Sequence, residues 1–428
     1  MANILPFQGI RYNPKRVRNL SKVVSPPYDV ITEAQQEHYY RASPYNVIRL
    51  ELGKRFSRDN GLKNRYIRAR LFFKKWSSDG VLIQDKEPSI YIYEQTFKKG
   101  KRFARRLGFM ALLELGGSGG KNSIYPHEKT FPSPKEDRFL LLKSLQANIS
   151  PLFFLFSDRR KRIEKIMKEG IRHTPLMADV SHGSEQHRVW RLTDPSFIKR
   201  LRNVLSRDPL FIADGHHRYE VALAFRKKMK AKQGNCVMAY FSNLLDTQLT
   251  ILPIHRLVKG LEGDFESLKE KLSTLFTLKS FSTVSGLLKA MEKTRETHVF
   301  GMYWKGKSFT LLTLSDRKAL FEIDASIRRS KTWRRLDVTI LHELVFKKRL
   351  GLSERSLRQN VLYNRDLKQC IESIRKGDYQ VGFFLRAARI HQIQRIALSK
   401  ERVPQKSTYF YPKPLTGLVM YRFDDGVR

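Results

Sequence analysis

Three short runs of this chain set imidazoles beside a guanidinium or a carboxylate, a composition suited to handling phosphates. The first is Asp214-Gly215-His216-His217-Arg218. Ahead of it, the apolar run Leu210 to Ala213 predicts a short buried strand. Asp214-Gly215 breaks that run, and Ala222, Phe225 and Met229 then recur at helical spacing. A strand, a tight turn and a helix start therefore carry two imidazoles and a guanidinium. Free backbone N–H groups and the positive end of the helix dipole draw anions to such a place. Arg218 adds a planar fork for phosphate oxygens, while Asp214 can hold a hydroxyl or a metal ion, or simply cap the helix.

The second run is Tyr125-Pro126-His127-Glu128-Lys129-Thr130, between a glycine-rich stretch and a helix. Glu128 is placed to take a proton from a substrate hydroxyl, with His127 fixing its orientation. Taken alone, the same residues read more simply as a helix-entry loop with a solvated Glu. The third is Pro253-Ile254-His255-Arg256, where a second His-Arg pair ends a strand and can line the substrate side.

The elements that must carry these runs are read from periodicity. Residues 1–31 are loop-rich with short strands, and helices are predicted at 33–42 and 61–77, the second amphipathic through Tyr66, Ala69, Leu71, Phe73 and Trp76. Two antiparallel strands, Ile90 to Phe97 and Arg105 to Leu115, flank a basic turn at 98–102. Further helices are predicted at 136–148, 158–170 and 215–232, and strands at 151–156, 235–241 and 248–253. A new alternation of helices and strands starts near 262. Helices dominate 337–376, and strands near 380–386 and 407–411 follow. This places a boundary near 260, giving regions 1–260 and 261–428.

Composition sets outer limits. The chain has 428 residues, 41% hydrophobic and 11% aromatic, enough to fold around more than one core. Its two cysteines, Cys236 and Cys370, suit a reducing cytoplasm rather than a disulfide framework. No signal-peptide pattern and no apolar run of membrane-spanning length is present, so a soluble cytoplasmic protein without a membrane role is expected. Lys and Arg total 82 against 41 acids, a formal net charge of +41. That excess attracts polyanions. It is scattered through clusters at 98–106, 159–165, 226–232 and 328–335, however, with no zinc finger or basic zipper. Nucleic-acid binding through this diffuse surface is therefore not the favoured reading.

Two signals are set aside. Gly116-Gly117-Ser118-Gly119-Gly120-Lys121 has Asn122 where a phosphate loop needs Ser or Thr, and Leu115 where it needs Gly, so a flexible hairpin loop is the better reading. His342-Glu343 lacks the second histidine of a zinc-protease helix and reads as an ordinary helix turn.

Taken in order, five motifs carry a resemblance. They are Pro6-Phe7-Gln8-Gly9-Ile10-Arg11-Tyr12-Asn13-Pro14, Ser25-Pro26-Pro27-Tyr28-Asp29-Val30-Ile31, Pro126-His127-Glu128-Lys129-Thr130, Asp214-Gly215-His216-His217-Arg218-Tyr219-Glu220 and Lys406-Ser407-Thr408-Tyr409-Phe410-Tyr411-Pro412-Lys413. On these the chain is identified as a member of the DUF1015 family over nearly its full length. More remotely it is similar to the ParB/sulfiredoxin superfamily, which includes partition CTPases and free L-serine kinases. The resemblance implies an α+β fold: a ParB/sulfiredoxin-like nucleotide-binding core with a strand–turn–helix phosphate site, elaborated by a second mixed α/β region. Gly215-His216-His217-Arg218 matches the phosphate-holding turn of that superfamily. The serine kinases carry a similar Asp-Gly-His-His-Arg run.

The implied activity is small-molecule phosphoryl transfer, most directly a kinase acting on a free hydroxyl amino acid such as L-serine. ATP or ADP would be donor and Mg²⁺ cofactor. In that reading Gly215, His216, His217 and Arg218 bind the nucleotide, Asp214 holds the metal or orients the hydroxyl, and Asp29 or Glu128 is the base. His127, His255 and Arg256 line the substrate. A phosphoserine-type phosphohydrolase, or a nucleotide-responsive regulatory protein that meets nucleic acid, would use the same turn. No ParB-type helix-turn-helix is evident.

Overall fold

A computed structural model describes residues 2–116, 124–130, 132–206, 208–229, 234–294, 298–315, 320, 323 and 329–423. The glycine-rich run Gly117 to Lys121 and Asn122 lie outside the described residues, as do parts of the basic clusters at 226–232 and 328–335.

The chain forms two compact units, each discontinuous in sequence. The first comprises Met1–Tyr125, Thr130–Thr250 and Pro412–Arg428, and the second comprises Pro126–Lys129 and Ile251–Tyr411. This differs from a single cut at 260. The strand His255–Val258 pairs with Val361–Asn364 on one edge and Val381–Phe384 on the other, so it belongs with later residues. Conversely, Tyr421–Arg422 pairs with Ala147–Asn148, which returns the last segment to the first unit.

Within the first unit, a mixed sheet of nine strands runs in the order Ile124–Tyr125, Leu210–Asp214, Leu152–Phe156, Cys236–Asn243, Arg102–Glu114, Ile90–Lys99, Glu185–Leu192 and Leu176–His182, with Ile4–Leu5 also paired to Arg102–Glu114. Two pairings are parallel, Leu210–Asp214 with Ile124–Tyr125 and Cys236–Asn243 with Leu152–Phe156. The expected hairpin is present: Lys99 pairs with Arg102, and Gly100 takes φ +61° in the turn between them. Its first strand is covered on both faces. Tyr91 and Tyr93 are as deeply buried as Ile90 and Ile92. Their hydroxyls are satisfied by Asp85 at 2.8 Å and by His187 Nδ1 at 2.7 Å.

One sheet face stacks Phe109 on Phe241 and Phe241 on Phe154. Helices Arg162–Arg172 and Pro195–Leu205 close over it with Ile163, Met167, Leu201 and Leu205. A separate cluster joins Phe73 and Trp76 of helix Arg65–Ser78 to Leu141 and Leu145 of helix Pro132–Leu145.

Three sequence expectations shift here. Helix 61–77 begins at Arg65, because the Asn64 side chain accepts from the Tyr66 and Ile67 N–H groups. Leu71 is 56% exposed, since two residues from Ala69 is about 200° around a helix and points away from the core. Helix 158–170 begins at Arg162, because the buried Asp158 carboxylate accepts from Ile163 N–H at 2.8 Å and so acts ahead of the first turn.

The second unit is built on a six-stranded sheet in the order Phe276–Phe281, Phe309–Leu314, Val299–Trp304, Val381–Phe384, His255–Val258 and Val361–Asn364. Alternation divides its two faces: Val258 and Phe383 enter one core with Phe300 and Phe346, while Leu257 and Phe384 enter another with Leu287 and Ile374. The strand Val361–Asn364 interrupts the helical region expected at 337–376. There, the stretch Ile340–Arg349 winds as a π-helix rather than an ordinary helix turn.

Cys236 and Cys370 are buried free thiols, and burial pushes their pKa values up to about 11 and about 12. Among the described residues no helix is long and apolar enough to cross a membrane.

Candidate functional site

The strand Leu210–Asp214 delivers Asp214 to the sheet edge of a turn made possible by Gly215. Gly215 has φ +93°, and a Cβ on it would meet Leu152 Cδ2 at 2.7 Å. Its carbonyl accepts the Tyr219 N–H at 2.9 Å, which starts the helix His216–Met229. Gly215, rather than Asp214, therefore heads the helix. Of the two imidazoles in its first turn, His216 is buried and His217 half-buried.

Asp214 is instead the centre of an ion cluster. Arg218 Nη2 donates to its Oδ2 at 2.8 Å. The Lys413 ammonium lies 2.5 Å from its Oδ1 and 2.5 Å from Asp29 Oδ2. Arg218 Nη1 donates to Ser150 Oγ at 2.7 Å and to the Pro151 carbonyl at 3.0 Å. Ser150 in turn donates to Glu51 Oε1 at 3.1 Å, and Arg138 Nη1 donates to the Glu51 carbonyl at 3.0 Å. Arg138 also sits 4.0 Å over the Tyr28 ring. The turn Tyr28–Val30 is thus pinned through both Tyr28 and Asp29. Burial pushes the Tyr28 phenol up to about 12, with the Arg138 charge opposing it.

One donor is left over. Arg218 Nε is buried and has no hydrogen-bond partner among the described residues. The space a Cβ would fill at Gly215 lies 3.1 Å from Arg218 Nη2 and 3.3 Å from Nε. The same point is only 2.7 Å from Leu152 Cδ2, so an anionic oxygen that reaches this already oriented guanidinium edge must displace that side chain. Behind Arg218 a cavity of about 50 Å³ is bounded by Glu51, Arg138 and Ser150 on its polar side and by Leu145, Val221 and Val237 on the other. It is far below the roughly 300–1,000 Å³ of a drug-sized ligand pocket, so it does not take a nucleotide.

The remaining sequence candidates lie in the second unit. His127 is buried, its Nε2 is 3.0 Å from Thr408 Oγ1, and its ring stands edge-on to Phe410. The backbone around Glu128 is held by Val403, whose N–H donates to the His127 carbonyl at 2.8 Å. His255 accepts the Leu385 N–H at its Nδ1 and packs edge-on against Phe384. Burial, with the Arg256 charge adding to it, lowers its pKa to about 4. Arg256 donates to the Ile254 and Lys406 carbonyls, and burial lowers its pKa to about 10 against the opposing charges of Tyr363 and Glu128. The first unit thus brings together Asp29, Asp214, Gly215 and Arg218 with Lys413. His127, Glu128, His255 and Arg256 fall in the second. The residue the catalytic reading passed over is Lys413. It stood in the last motif, but no local spacing ties it to Asp29 or Asp214.

A family model described as a protein of unknown function, DUF1015, matches residues 4–339. The chain belongs to the DUF1015 family. No curated protein matches it. Among solved structures, this DUF1015 chain is similar to a conserved hypothetical protein from Pyrococcus furiosus, with 12% identity, TM-score 0.38, and 74% of this chain and 96% of that one covered. It is also similar to a free serine kinase in complex with AMP, at 14% identity and TM-score 0.34, covering 70% and 86% of the two chains. A third is SbnI with a C-terminal truncation from Staphylococcus aureus, at 12% identity and TM-score 0.36, covering 72% and 85%. The family match of this DUF1015 chain ends before Lys413, which the first unit nevertheless uses.

Proposed function

We propose that this DUF1015 chain is a small-molecule phosphotransferase, a kinase that phosphorylates a free hydroxyl amino acid such as L-serine from ATP or ADP. The observation that carries the reading is the buried Arg218 Nε donor at the Gly215 turn, which has no hydrogen-bond partner among the described residues. The ParB/sulfiredoxin-like reading of the strand–turn–helix agrees with it. Gly215, His216, His217 and Arg218 would hold the phosphates of the donor. Positioning and charge neutralisation supply most of the catalysis in phosphoryl transfer, so fixed cations count for more than a strong base.

The acceptor hydroxyl oxygen forms a bond to the terminal phosphorus of the donor. The bond from that phosphorus to the bridging oxygen breaks, and its electron pair leaves with the nucleotide. The hydroxyl proton passes to a carboxylate, for which Asp29 is the candidate in the same unit as the turn. Among the described residues no three His, Cys, Asp or Glu gather as a metal cage. Asp214 would hold magnesium there, and one carboxylate with phosphate oxygens and water is a usual magnesium arrangement. Magnesium bound there with the nucleotide would neutralise phosphate charge.

The test is incubation of the protein with Mg²⁺, ATP or ADP and a panel of small hydroxyl compounds led by L-serine, read by mass spectrometry. Phosphorylated acceptor that disappears in Arg218→Ala, with the far-ultraviolet spectrum unchanged, is expected. Turnover that survives Arg218→Ala sinks the assignment.

A further inference from the structure

The ion cluster around Asp214 is balanced before any ligand arrives. Asp29, Asp214, Glu51 and Asp137 lie among Lys413, Arg218, Arg138 and Arg65. An anion entering such a cluster gains most if one cation changes partner. Arg218 is held at both ends of its fork by Asp214, Ser150 and the Pro151 carbonyl. Arg138 is held by Asp137 and Glu51 and lies against Tyr28. A planar guanidinium can leave such partners only by breaking several bonds at once.

Lys413 is built differently. Its backbone is fixed, because Gln95 Nε2 donates to its carbonyl at 3.2 Å and the buried Arg106 donates to the Pro412 carbonyl. Its ammonium, only 6% exposed as part of the side chain, reaches Asp29 and Asp214 at the end of a four-carbon stem. An ammonium is a point charge that can turn from one oxygen acceptor to another without reorienting a plane.

We propose that Lys413 is a ligand-gated cover on Asp29. A phosphorylated ligand at the Gly215 turn draws the ammonium onto its phosphoryl oxygens. That movement uncovers Asp29 Oδ2 to accept the proton of the attacking hydroxyl. The choice of Asp29 over Glu128 as base follows, and the proton step rests on the phosphotransferase reading above. The binding step does not.

Inorganic pyrophosphate titrated calorimetrically into the full chain tests the binding step. Lys413→Met is expected to weaken pyrophosphate at least tenfold. The double variant Asp29→Asn/Lys413→Met, which removes one carboxylate left without its ammonium, reports the same loss if the single variant folds poorly. Asp29→Asn alone is expected to bind pyrophosphate several-fold more tightly, because the ammonium then has one carboxylate to leave, Asp214, instead of two. A merely structural lysine would not produce that tightening. Equal affinity in wild type and Lys413→Met, no pyrophosphate binding in wild type, or unchanged or weaker binding in Asp29→Asn overturns the proposal. Lys413-dependent pyrophosphate binding without phosphorylation of any acceptor upholds the binding step and removes the kinase reading instead.

Discussion

Gly215 combines a backbone requirement with a chemical one. Its φ of +93° is strained for any L side chain, and a Cβ would collide with Leu152 while filling the space before Arg218 Nε. Gly215→Ala is expected to cost about 1–3 kcal/mol, as residues forced into sparsely populated backbone regions do. It should also lose pyrophosphate affinity. Urea unfolding beside the calorimetric titration checks both, and a variant of unchanged stability would contradict the steric argument. The turn was legible in the sequence because its parts are local: Asp214 and Arg218 are one helical turn apart. Lys413 and Asp29 are separated by 384 positions. No periodicity or motif spacing encodes such a pairing, so it emerges only from the folded sheet.

Elements show the same division. The hairpin with its short turn at Gly100 was readable, whereas the cap at Asn64 was not, so the helix expected from 61 begins at Arg65. The strand Val361–Asn364 was not, since a four-residue strand between two helices carries too little alternation to be seen. The second unit's elements also carry a pH dependence. His255 and His342 are both lowered to about 4, each chiefly by burial. Around His255 the charges are Arg256 and Asp366, and around His342 they include Lys347, Glu354, Arg256 and Lys129. His255 must also keep Nδ1 unprotonated to accept the Leu385 N–H.

Both histidines have folded pKa values below the unfolded value of about 6.5, so the unfolded chain takes up protons first as the pH falls. Their stabilising effect is present in full above about pH 6.5 and is lost progressively toward pH 4, by roughly 3 kcal/mol for each. Urea midpoints measured from pH 7 down to pH 4.5 should fall, and His255→Gln or His342→Gln should flatten that slope. A slope that both substitutions leave intact would assign the acid sensitivity elsewhere.

At the scale of the whole molecule, the change of pattern near 260 suggests one cut, whereas the units are discontinuous and Pro412–Arg428 returns to the first, which no pattern announces. That return is made by contacts: Arg106 with the Pro412 carbonyl, Met420 with Ile10, and Tyr421–Arg422 with Ala147–Asn148. A chain ending at Tyr411 would strip a carbonyl acceptor from the fully buried Arg106, and a lost hydrogen bond to a charged group costs about 1.5–3 kcal/mol. Such a truncation is expected to lower the thermal midpoint of the first unit by several degrees or more and to abolish pyrophosphate binding. Circular dichroism and the same titration would show it, and full binding in the truncated chain would argue against any role for the last segment.

The discontinuity of the first unit also bears on the order of synthesis. A ribosome delivers Asp29 and Asp214 long before Lys413, and everything from Ile251 to Tyr411 must be translated in between. Until then the nascent polypeptide holds two acids of the cluster without their shared ammonium. A product of premature termination therefore carries the Gly215 turn without Lys413, and only a message read past Lys413 yields the complete ion cluster.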